Sequence, residues 1–128
     1  MGFPDGGGPP PVVIYNGPNV IAVGVAMGAF HAAAITAGTS YQTFTNSYNT
    51  YLATQSAADQ AVATANIHTA IADLNAADNA ANNAMGVVNA NAPLPGNIGP
   101  TALNALQATL VDIQNALAQL QGLLAAGL

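Results

Sequence analysis

Between Pro18 and Pro93 the chain carries no proline, and this gap limits its fold more than any other feature. Proline inside a helix removes a hydrogen bond and clashes with the preceding turn. A proline-free, alanine-rich stretch therefore reads as helix, and Asn16-Gly17-Pro18 marks its start, with Pro18 suited to the first helical position. Unbroken, about 70 residues at 1.5 Å each would make a rod of about 105 Å. Globular helices rarely run so far, so the stretch is either a hairpin or a fibrous element.

Periodicity narrows the choice. Val23, Met27, Phe30, Ala34, Ala37, Tyr41, Phe44, Tyr48 and Tyr51 are spaced 4,3,4,3,4,3,4,3. A sustained repeat of this kind is a coiled-coil-like seam. The register continues more weakly through Gln55, Ala58, Val62 and Ala65, then shifts to a second stripe of Ile67, Ile71, Leu74, Asp78, Ala81, Met85 and Val88. The shift is a stutter or a turn. Poor helix formers collect at Gly38-Thr39-Ser40 and across residues 46–54, the two weak spots for a turn.

Three prolines and two glycines within residues 89–100 form a linker. Thr101 is then expected to cap a final helix. Its stripe, Leu103, Leu106, Leu110, Ile113, Leu117, Leu120 and Leu124, is the strongest periodic signal in the chain, and Gly127 suits its C-terminal stop. At the other end, Gly6 to Gly8 and Pro9 to Pro11 favour an extended arm. Val12, Val13, Ile14 and Tyr15 follow as a short β-prone run, expected to peg into a neighbour. The expected architecture is all-α, with long alanine-rich helices packed by heptad seams in one structural unit. Its parts are an extended arm (1–17), a long helical region (18–90), a linker (91–100) and an amphipathic helix (101–127).

Composition says what such helices are for. The chain has no Lys or Arg; five Asp are its only acidic residues, and charged residues make up 4% against about 25% in ordinary domains. Without cations, electrostatic binding of nucleic acid, phosphate clamps, Schiff-base lysines and polybasic membrane patches are excluded. Mixed surface charge, the usual solubility device, is missing too. Alanine fills 29 of 128 positions; it buries little area but lets helices approach closely. The flanks of these helices need neighbours, which points to a dense assembly of copies.

No catalytic constellation is present. Cysteine is absent, and Ser40, Ser47 and Ser56 lack a nucleophile-elbow motif. His68 and Asp73 lie five apart, off a shared helix face, and His31 has no acidic neighbour in sequence. The reading is therefore non-enzymatic, with no cofactor and no metal. Gly24 and Gly28 form a GxxxG pair, which lets helix backbones approach closely. Residues 19–38 are uncharged and long enough to span a bilayer. Mid-segment His31 and the lack of flanking Lys or Arg disfavour a span.

In acid the carboxylates neutralise while the histidines charge, so the subunit's charge inverts in sign. Asp59, Asp73, Asp78, Asp112, His31 and His68 are the candidate pH-sensing groups. Asp78 stands out because the second stripe would bury it without a cation, unless the helix is rotated outward there and leaves it solvated.

Ala26-Met27-Gly28 followed by Phe30, and the segment Thr54-Gln-Ser-Ala57-Ala58-Asp-Gln-Ala-Val62-Ala63-Thr64, resemble the RebB-type proteins of bacterial R-bodies. These coiled protein ribbons are linked to the killing trait of bacterial endosymbionts. The likeness covers about a third of the chain and departs at the Gly/Pro-rich arm and the leucine-striped last helix. It implies a cytoplasmic bacterial structural protein that polymerises into insoluble sheets, in some members unrolling on acidification. The expected partner is the chain itself, in a homo-polymer with room for related paralogous subunits. A pilin-like extracellular filament subunit and a small oligomeric membrane protein are the alternatives. Residues 1–11 carry no basic n-region or apolar h-region, so a chain starting at Met1 is expected without signal-directed export.

Overall fold

A computed structural model describes residues 17–128. These form an all-α fold of three helices: α1 (Pro18–Thr54), α2 (Ala57–Ala90) and α3 (Ile98–Ala125). The expected peg at residues 12–15 lies outside the described residues.

The proline-free stretch is a hairpin. Counted straight along a helix, Ala63 would sit about 120° around from Tyr51 at 3.6 residues per turn. One rod could not bury the α1 seam and the α2 core line on the same side. The chain reverses at Gln55 and Ser56 instead. Gln55 takes the left-handed conformation (φ 53°, ψ 23°), and its N–H bonds the Tyr51 carbonyl at 2.7 Å, closing α1. Ser56 opens α2 by accepting the Asp59 N–H at 3.1 Å. Neither weak spot holds the turn. Gly38, Thr39 and Ser40 lie within α1, and so do residues 46–54. The weak continuation of the first seam is also corrected: Gln55, Ala58, Val62 and Ala65 are exposed, Val62 at 52%.

The first seam packs as expected. Val23, Phe30, Ala37 and Phe44 are buried, and Met27, Ala34, Tyr41, Tyr48 and Tyr51 pack against them. Phe44 and Tyr48 stack with ring centroids 5.5 Å apart. On α2 the buried line is Ala63, Ile67, Ala70, Leu74, Ala77, Ala81, Ala84 and Val88. Five of these are alanines. Alternate positions of the second stripe are therefore off by one residue, with Ala70, Ala77 and Ala84 inside where Ile71, Asp78 and Met85 were expected. The displacement takes Asp78 off the centre of the seam. It is only half-buried and accepts a 2.8 Å hydrogen bond from Asn82 one turn on. A buried, uncompensated carboxylate is thereby avoided.

Two cross-helix bonds set the hairpin register: Ser40 Oγ donates to Asp73 Oδ2, and Asn66 Nδ2 donates to Ser47 Oγ at 3.0 Å. Seven residues up α1 match seven down α2. Asn91 closes α2 by donating its side-chain amide to the Val87 carbonyl at 2.8 Å.

The last helix starts three residues before the expected Thr101, at Ile98, so the linker is shorter than 91–100. Pro100 sits in its first turn, where backbone N–H groups lack intrahelical partners and proline costs nothing extra. The whole leucine stripe enters the core or packs against it. Gly127 (φ 104°) ends the helix. Its N–H bonds Leu124 O, while the Leu128 N–H bonds Leu123 O, the paired bonds of a Schellman stop. The helix itself ends at Ala125. α3 runs antiparallel to α2, with Gln60 Nε2 donating to the Gly127 carbonyl at 3.5 Å. Tyr41 ties α1 to α3 by donating to Gln119 Oε1 at 2.6 Å.

Candidate assembly surface

With the seam of α1 turned inward, its opposite face is left uncovered by the described residues. Ile21, Val25, Gly28, Ala32 and Ile35 are spaced 4,3,4,3 along that face and all are exposed. Ile21 is 57% exposed, Val25 69% and Ile35 57%. A chain of this kind has two seams on one helix, and its own fold covers one. Gly24 and Gly28 belong to the bare side. A Cβ built on either, or on Gly38, meets nothing within 4 Å. The backbone there is open to close approach by another helix.

Ile21, Val25 and Ile35 were not among the expected packing residues; within the uncharged stretch 19–38 only the Val23–Ala34 seam and the Gly24–Gly28 pair stood out. The signal was available: once Val23, Met27, Phe30 and Ala34 are removed, a second heptad stripe remains. α1 contains no Asp, and the four Asp among the described residues lie on α2 and α3.

The apolar half of α1 lies beside the end of α2. Extending the Ser40–Asp73 and Ser47–Asn66 register sets Ile21 to Ile35 level with residues 78–92. That stretch of α2, and the turn before it, carries Asn75, Asp78, Asn79, Asn82, Asn83 and Asn89. The same end of the molecule is thus apolar on one side and amide-rich on the other. By length and composition α1 can cross a membrane: its most apolar window has mean hydropathy 1.9 and is 22% buried. A crossing there would carry these amides and Asp78 to bilayer depth, where polar side chains are expensive.

The second half of α1 looks polar but has satisfied much of its hydrogen bonding internally. Thr39, Thr43, Thr45 and Thr50 each donate their hydroxyl to the carbonyl four residues back, at 3.0–3.1 Å. Ser47 does the same three residues back, at 2.8 Å. Such back-bonded hydroxyls lose little when water is removed, because their partner travels with them.

The ionisable groups are spread singly. Asp59 accepts from Thr54 Oγ1 at 2.5 Å, and the Thr54 and Ser56 hydroxyls hold its carboxyl below the usual value of 3.8. Asp73 is engaged by Ser40. Asp112 on α3 is exposed, as are His31 on the flank of the bare α1 face and His68 on α2. Among the described residues no three His, Asp, Glu or Cys side chains converge as metal ligands would.

Comparison of the chain with protein families, characterised proteins and solved structures finds no match.

Proposed function

We propose that this chain is a non-enzymatic structural subunit that polymerises with copies of itself into an R-body-like ribbon. The observation that carries the reading is the bare α1 face. Ile21, Val25 and Ile35 stand exposed in a regular stripe over open glycines. Contiguous exposed apolar faces mark interaction sites. A chain with no Lys or Arg lacks the mixed charge that would otherwise hold copies apart. The back-bonded threonines extend the surface that dehydrates cheaply.

The resemblance segments fit this reading. Ala26 and Phe30 supply core contacts while Gly28 faces outward, and residues 54–64 hold the hairpin turn at Gln55 and Ser56 and the first two turns of α2. The assembly is proposed as a bacterial cytoplasmic polymer, open to related subunits. It is also proposed to respond to acid through Asp59, Asp73, Asp78, Asp112, His31 and His68. Negative-stain microscopy of the purified protein tests the main claim: ribbons support it, and discrete monomers overturn it. The acid response is sunk if ribbons keep the same dimensions and stability from about pH 7 to about pH 4.

A membrane protein is the second reading, favoured only by the apolar length of α1. Mild detergent separates the two. A membrane protein would dissolve into small oligomers, whereas a protein polymer would remain sedimentable.

A further inference from the structure

We infer that the apolar run Val12, Val13, Ile14 and Tyr15 docks in its own subunit, in the groove between the start of α1 and the α2–α3 linker. The inference goes beyond the self-assembly reading and does not rest on it, since it concerns a single dissolved subunit.

The groove follows from the hairpin register. Extending the Ser40–Asp73 and Ser47–Asn66 pairing to the end of the bundle sets Val20 level with Pro93. Residues 17–20 form one wall and residues 93–95 the other, around a space of about 450 Å³. The linker wall is anchored. Leu94 packs against the core, and a Cβ built on Gly99, at the start of α3, would meet its Cδ1 at 3.8 Å.

The chemistry of the walls selects an apolar occupant. Pro18, Pro93 and Pro95 have no backbone N–H to donate. Asn19 carries the one polar side chain among the described lining residues, and none of them is charged. A polar or charged ligand would lose water there without gaining partners. An apolar run loses nothing, and an aromatic ring on proline is the contact that proline-rich segments make with aromatic grooves.

The start of the described chain names the run. Gly17 is itself part of the wall, and only Asn16 separates it from Tyr15. At no more than about 3.6 Å per residue, Tyr15 lies within about 7 Å of Gly17 and Val12 within about 18 Å. Gly17 is extended (φ −68°, ψ 157°), so the chain leaves the line of the helix at the groove wall. So short a tether holds the run near the groove at a millimolar effective concentration. In a micromolar solution, the run of another copy is outcompeted about a thousandfold.

Chymotrypsin, which cuts after aromatic residues, reads the docking. The aromatic residues of α1 are shielded by helix, and Phe3 precedes Pro4, which blocks cleavage. Cutting of the Tyr15–Asn16 bond would be followed by mass spectrometry in dilute, unassembled full-length subunits. A protease needs an extended, undocked segment, so the rate tracks the undocked population. Val12→Ser/Val13→Ser weakens the run without changing the residues beside the scissile bond. It should speed cutting at least tenfold, leave helix content unchanged and lower the melting temperature by roughly 4–8 °C. Pro95→Asp, at a half-buried loop position, puts a charge in the wall and should also speed cutting at least tenfold. Leu94→Ala removes apolar wall and should act in the same direction. A parent cut as fast as Val12→Ser/Val13→Ser, or an unchanged melting temperature in that variant, overturns the inference. Parental rates in both Pro95→Asp and Leu94→Ala place the run elsewhere and also overturn it. Protection that grows with subunit concentration means that the groove of a second copy takes the run, which refutes docking within the subunit. If Leu94→Ala loosens the helices, Pro95→Asp and the melting of Val12→Ser/Val13→Ser decide.

Discussion

Ile67→Ala and Val62→Ala form a pair whose difference locates the chain reversal. Ile67 is fully buried on the inner line of α2, between Ala63 and Ala70. Truncation removes three carbons, worth about 2.4 kcal/mol at roughly 0.8 kcal/mol each. The alanines one turn either side are too short to refill the space, so a cavity cost brings the total to about 4 kcal/mol. For a chain of this size that lowers the melting temperature by roughly 12–16 °C. Val62, five positions before Ile67 and one before the buried Ala63, is 52% exposed. Its truncation loses about two half-buried carbons, and the higher helix propensity of alanine offsets up to about 0.7 kcal/mol. The net change should lie within about 0.5 kcal/mol. Thermal unfolding of dilute, unassembled subunits followed by circular dichroism reads both. If Val62→Ala costs as much as Ile67→Ala, the first seam runs on through Val62. The reversal at Gln55 and Ser56 would then be wrong.

Three further outcomes are expected. Gln55→Gly should raise stability by about 0.5–1 kcal/mol in urea unfolding, because a side chain at φ 53° bears a left-handed penalty that glycine lacks; a loss of stability would count against the turn. Gly38→Ala should stabilise by about 0.8 kcal/mol, since the new methyl meets open space in the middle of α1; destabilisation would mean that this face is already covered within the subunit. Asp59 is lowered in the folded state, so its contribution is complete above the ordinary value of 3.8 and fades as pH falls through the folded value. Thr54→Ala, which removes the main cause of that shift, should therefore lower the urea midpoint at about pH 6 and converge on the parent near about pH 2; an equal gap at both pH values would refute the role of Thr54.

What could be read from sequence depended on side-chain size. The α1 seam and the α3 stripe were legible because Phe30, Phe44, Leu106, Ile113 and Leu120 contrast with their neighbours. The α2 line was not, because alanine occupies both its buried and its exposed positions. A seven-residue template then settled on Ile71, Asp78 and Met85 instead of Ala70, Ala77 and Ala84. The turn was hidden for another reason: Gln55 takes a conformation usually marked by glycine or asparagine, and Ser56 caps α2 without a flanking breaker. Gly24 and Gly28 stood out as a spacing. The large members of the bare face did not, since two interleaved apolar stripes on one helix look like uniform hydrophobicity.

The alanine line of α2 has a consequence for how this protein can change over generations. Most cores tolerate lost volume poorly and are buffered by flexible neighbours. Here five of eight core positions on α2 are already alanine, so almost any replacement adds volume, and α1 packs on one flank of the helix with α3 on another. Overpacking typically costs 1–3 kcal/mol. Drift should therefore be confined at these positions to alanine, glycine and serine. The amide- and hydroxyl-bearing outer positions remain free to diverge.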